Sequence, residues 1–96
     1  MKAHGPMIKT IMDDLKDTNM LIDWAWEAKE RGDTIAAPWF TSRAKERFTM
    51  MEKGWADVSK VIKPTAEGGE AEIYYKLLCH HVSDEMKETK ERLMSL

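Results

Sequence analysis

Two breaks divide the chain into three long helical segments. Gly32 ends the first segment and Pro64 disfavours continuation of the second. Between the breaks, apolar residues recur at the three- and four-residue spacing of an amphipathic helix, and no segment alternates like a strand. Helices are therefore expected, within a single domain of residues 1–96, over three ranges: 6–31, 35–63 and 69–95.

The ends of the first two helices have recognisable start and stop residues. Pro6 suits a first helical turn, where its missing N–H removes no hydrogen bond. Gly32 is a natural residue just past a helix C-terminus. Asp33 or Thr34 is expected to cap the second helix, with Pro38 in its opening turn.

Short connections between long helices favour antiparallel neighbours. Each segment has about 25 residues and spans roughly 37 Å at 1.5 Å per residue. The sequence therefore predicts an all-α fold, an up-down-up antiparallel three-helix bundle that a second copy could complete. The predicted core stripes are Ile8, Ile11, Met12, Leu15, Ile22 and Trp26; Phe40, Ala44, Phe48, Met51, Trp55, Val58 and Ile62; and Tyr75, Leu78, Val82, Met86, Leu93 and Leu96.

The composition of the chain limits which partners and which cellular location are expected. The net charge is −2 and acidic and basic residues are interspersed, which argues against a nucleic-acid binder that relies on a strong positive field. The chain shows neither the apolar core of a signal peptide nor a membrane-length apolar run, so no membrane partner is expected. The single cysteine, Cys79, fits a reducing compartment, and a cytoplasmic location is expected.

The first helix has a second apolar surface, which predicts an interface. Met20, Leu21, Trp24 and Ala28 point away from its core stripe, and a helix that is apolar on both sides is buried on both sides. These residues, joined by Trp39, are the predicted contacts of a homodimer or of another protein partner. In the alternative interpretation, Trp24 lies flat over the second or third helix of the same chain.

Two charges lie within the apolar stripes and predict a polar layer. Counting outward from the two turns places Arg47 level with Glu85 on the third helix and with Asn19 on the first, and His81 lies one turn before Glu85. Buried polar layers set helix register in bundles, and this structural role is the expected one. The alternative is an anion site in which Arg47 and Arg43 bind a carboxylate or a phosphate.

The histidines of the third helix suggest a metal site as the alternative function. His80 with Asp84, and His81 with Glu85, are spaced i, i+4 on one helix face, which suits transition-metal ligation. The Glu-x-x-His spacing of ferritin-like di-iron carboxylate bundles is absent, because leucine stands three residues before each histidine.

No motif of enzyme catalysis occurs in the chain. The sequence lacks a Gly-x-Ser-x-Gly elbow, a phosphate-binding loop and a His-Glu-x-x-His pattern. The expected function is a small non-catalytic helical interaction or scaffold protein without a cofactor, which associates through Trp- and Met-bearing helix faces. The alternative is a metal-binding helical bundle in which His81 and Glu85 are ligands.

Overall fold

The computed structural model describes the backbone of residues 4–65 and 69–96, and its side chains over 8–60, 69, 73, 74 and 76–96. Three helices account for most of these residues: α1 (His4–Glu30), α2 (Ala36–Thr65) and α3 (Glu70–Met94). The predicted all-α three-helix bundle is confirmed, and the predicted boundaries agree to within about two residues. Two predicted core residues, Ile62 and Tyr75, lie outside the described side chains.

The turn between α1 and α2 follows the predicted chemistry. Gly32 adopts a φ of 73°, the left-handed conformation that favours glycine after a helix. Asp33 caps α2, because its Oδ1 accepts hydrogen bonds from the backbone N–H groups of Ala36 (2.8 Å) and Ile35 (3.1 Å). These two bonds, that of Ala36 foremost, hold the pKa of the Asp33 carboxyl below its usual value.

Alanine substitutions at two glycines should change the free energy of unfolding in opposite directions. A methyl group added at Gly54, inside α2, would meet no atom within 4 Å. We therefore expect Gly54→Ala to raise the free energy of unfolding by about 0.5–1 kcal/mol, through better helix propensity. Gly32→Ala is the matched control and should lower it by about 1–2 kcal/mol, because alanine is strained at positive φ. Urea denaturation followed by circular dichroism measures both, and a loss of stability in Gly54→Ala would contradict the expectation.

The core lies along the predicted stripes of all three helices. Its buried members are Ile8, Ile11, Leu15, Ile22, Ala44, Phe48, Met51, Val58, Val82, Met86 and Leu93. Trp26, a predicted core residue, is exposed instead, because the buried side of α1 shifts to Ala25 and Ala28 near its C-terminal end. The Lys29 ammonium lies 5.2 Å from the Trp26 ring centroid. None of the helices, as far as their residues are described, is long and apolar enough to cross a membrane.

The three helices pack unequally in a bundle 53 Å long. Most of the contacts between helices join α1 to α2, and α3 packs less extensively on both. The antiparallel register of α2 and α3 is marked by the ion pair between Glu52 and Lys90, whose charged atoms are 3.7 Å apart.

Candidate functional site

An aromatic face joins α1 and α2 and, among the described side chains, includes no residue of α3. On α2, Trp39, Arg43, Arg47 and Met50 follow one another at spacings of four, four and three residues along one side of the helix, with Phe40 next to Trp39. On α1 the members follow the predicted second apolar surface. The aromatic face consists of Met20, Leu21 and Trp24 on α1, and Trp39, Phe40, Arg43, Arg47 and Met50 on α2.

The rings of this face are stacked against one another. The Trp24 and Phe40 centroids are 5.6 Å apart with planes tilted by 55°, and this contact ties α1 to α2. Trp39 meets Phe40 edge-on at 5.3 Å, and the Arg43 guanidinium lies 5.2 Å from the Trp39 ring centroid. Such geometries add to the stability gained from burial alone, so the rings are held in place before any partner binds.

Large apolar side chains remain accessible on the aromatic face despite this stacking. Trp24 is 42% exposed, Met20 43%, Trp39 54% and Met50 69%. Single exposed apolar residues are ordinary, but a contiguous group that contains tryptophan and methionine is typical of a protein-interaction surface.

A groove of about 490 Å³ runs through the aromatic face and carries charges of both signs. Arg47 Nη1 lies 3.6 Å from Asp14 Oδ1 and 3.9 Å from Asp17 Oδ2, so it joins α2 to α1. Arg43 Nη1 lies 3.9 Å from Glu46 Oε2. These side chains are roughly one-third to two-thirds exposed, so their ion pairs contribute little to stability and stay available to a partner.

The predicted interface residues divide into two groups. Met20, Trp24 and Trp39 lie on the aromatic face and are exposed, whereas Leu21 packs partly against the core. Ala28 was wrongly predicted at the outer surface, because it is fully buried. The contact of Trp24 with Phe40 shows that this side of α1 faces α2. Ala28 lies on the same side, one turn after Trp24.

The predicted layer of Asn19, Arg47, His81 and Glu85 does not form. Arg47 is exposed and pairs with the α1 carboxylates, His81 is exposed, and Glu85 is half-buried. The direction in which the side chains point, rather than their height along the bundle, is the reason. Arg47 points to Asp14 and Asp17 on α1. Asn19 forms hydrogen bonds with Thr89 and Arg92 of α3 instead of Glu85. Arg43 and Arg47, the residues of the alternative anion site, pair with carboxylates of this chain.

A different polar cluster joins α1 to α3. Asn19 Nδ2 donates to the hydroxyl of buried Thr89 at 3.0 Å, and Arg92 Nη1 donates to Asn19 Oδ1 at 2.5 Å. Arg92 also pairs with Asp23, and buried Thr18 donates to the Asp14 carbonyl at 2.7 Å. Thr89 and Arg92 do not stand out in the sequence, because they lie in a run of charged residues that is typical of a solvated face; their i, i+3 spacing is the available signal.

The histidines do not assemble a metal site in the described part of the chain. His80 Nε2 lies 3.4 Å from Asp84 Oδ2 on the same exposed face of α3. Among the described residues, no group of three or more His, Cys, Asp or Glu side chains is arranged to hold a metal ion. The predicted pair of His81 and Glu85 therefore lacks a third protein ligand there.

Comparison of the chain with models of protein families, with curated proteins and with solved structures finds no match in any of the three.

Proposed function

We propose that this protein is a small non-catalytic helical interaction protein, and that it binds another protein chain through the aromatic face. One observation carries the proposal. Stacked, partly exposed rings and exposed methionines are grouped on one side of the α1–α2 pair, beside an open groove. We further propose that it acts in the cytoplasm, because its single cysteine suits a reducing compartment.

The chemistry of the aromatic face suits protein recognition. Tryptophan and arginine are the residues that most often dominate binding energy at interfaces, and both occur here in contact. Because Trp39 is already packed against Phe40 and Arg43, binding restricts its side chain little further. Met50 adds a flexible apolar surface that adapts to a partner's shape.

Site-specific photo-crosslinking in the source cells tests this proposal. Benzoylphenylalanine in place of Met50 projects from the aromatic face and leaves the ring stack intact. The matched control is Thr49, which is exposed but turned about 100° away on the helix. We expect covalent adducts with a protein from position 50 and none above background from position 49. Equal adduct formation at both positions, or none at either, would contradict the proposal.

A further inference from the structure

We propose that the occupant of the aromatic face is a second copy of this chain, related by a twofold axis that runs along the helices. This inference rests on the proposed function, since it names the partner of the same surface. Two features support it: the distribution of charge on the aromatic face, and the height of each residue on α1 and α2, that is, its position along the bundle axis.

The two sides of the groove carry opposite charge. On α1 the groove is bordered by Asp14 and Asp17, and on α2 by Arg43 and Arg47, with Glu46 beside Arg43. A partner segment of uniform charge would be attracted by one side and repelled by the other. A second copy presents both signs at once, as a self-complementary twofold interface requires.

The charges also select the direction of the twofold axis. An axis across the helices would place α1 against α1 of the second copy, so that carboxylates would face carboxylates and guanidinium groups would face guanidinium groups. An axis along the helices places α1 against α2 of the second copy, with heights preserved. Opposite charges then face one another, because Arg47 is level with Asp17 within the chain.

The same arrangement brings the apolar residues together. Trp24 contacts Phe40, so Trp39 lies at nearly the height of Trp24 on the antiparallel neighbour. Across the axis, Trp39 therefore meets Trp24 and Met20 of the second copy, and these three partly exposed side chains become covered. Arg43 lies one turn from the height of Asp17, within reach of the second copy's carboxylate.

A pair of charge reversals tests this geometry. In its own homodimer, R43E sets a carboxylate one turn from the second copy's Asp17, and D17R sets a guanidinium one turn from the second copy's Arg43, so each variant alone should have a dimer Kd raised on the order of tenfold or more. In a mixture of the two variants, the two changed side chains face each other with opposite charges, and the heterodimer should form. Sedimentation velocity measures the mass against the 11.1 kDa of one chain.

The controls separate association from folding. K45E and D57R reverse exposed charges that do not border the groove, and they should dimerise like the wild type. Far-UV circular dichroism and thermal melts establish that R43E and D17R remain folded, and the double variant in a single chain should recover the homodimer.

Each outcome decides the proposal. Dimerisation of the wild type, its loss in each variant and its return in the mixture support it. A wild-type chain that stays monomeric at high micromolar concentration overturns it, as do variants that dimerise unchanged or a mixture that stays monomeric. The proposed function fails separately, by the absence of position-specific adducts at Met50; adducts with a different protein there would uphold the function and exclude the second copy.

Discussion

Replacing Ile22 with alanine should destabilise the protein by about 2–5 kcal/mol in the free energy of unfolding. Ile22 lies on α1 and is fully buried in the core between the helices, with an exposure of 0%. Removing its side chain beyond Cβ loses transfer free energy and leaves a cavity, and the two losses add. Their sum is a large share of the roughly 5–15 kcal/mol that holds a typical domain folded.

The matched control for this change is Ile35→Ala, since Ile35 is 84% exposed in the turn before α2. The same atoms are removed, and the expected change is within about 0.5 kcal/mol. Urea denaturation of both variants provides the comparison. Similar losses of stability in the two variants would show that Ile22 is not in the core.

Replacing Asn19 with leucine should have the second-largest effect. Asn19 Nδ2 supplies a hydrogen bond to the buried Thr89 hydroxyl, and its Oδ1 accepts one from Arg92. Leucine removes both, and the unsatisfied buried hydroxyl adds its desolvation cost, so we expect a loss of about 1–3 kcal/mol. Arg92 keeps Asp23 as a partner, which limits the loss.

A double-mutant cycle isolates the bond between Asn19 and Thr89. Thr89→Val alone removes the buried acceptor, whereas Asn19→Leu with Thr89→Val removes donor and acceptor together. We expect the double variant to lose less stability than the sum of the single losses, by about 0.5–2 kcal/mol. Thr49→Val is the control, because Thr49 is exposed and donates to the Lys45 carbonyl of its own helix. Additive losses at Asn19 and Thr89 would mean that the two side chains are not coupled.

Local chemistry was sufficient to predict the helices and the pairing of α1 with α2. Gly32 and Asp33 determine where α1 ends and α2 begins, because each acts through its own backbone or its nearest N–H groups. The count from this tight turn placed Arg47 level with Asn19 of α1, and the structure pairs Arg47 with nearby Asp17. A capped turn of few residues leaves little freedom for one helix to slide along the other.

The position of α3 could not be predicted in the same way. Counting from a turn gives the height of a residue but not which side of α3 faces α1. That side is determined by tertiary contacts of Thr89 and Arg92 with Asn19 of α1. Such contacts join residues far apart in sequence, and periodicity within one helix carries no information about them.

The aromatic face could be predicted only in part. An apolar second side of α1 indicated Met20 and Trp24, but helix periodicity alone does not say which neighbour covers which side. The contact of Trp24 with Phe40 and the stacking of Arg43 on Trp39 depend on how α1 and α2 cross. For the same reason the burial of Ala28, one turn after Trp24, could not be predicted.

The unequal packing of the helices has a consequence for the order of folding. Contacts between α1 and α2 close only the short loop around Gly32, whereas Asn19 and Thr89 are 70 residues apart in the chain. Closing the longer loop costs more chain entropy, so α1 and α2 should form a hairpin first and α3 should dock last. Thr89→Val should then speed unfolding and leave the refolding rate nearly unchanged in stopped-flow measurements. The aromatic face, whose described side chains belong to α1 and α2, should then be complete before the third helix docks.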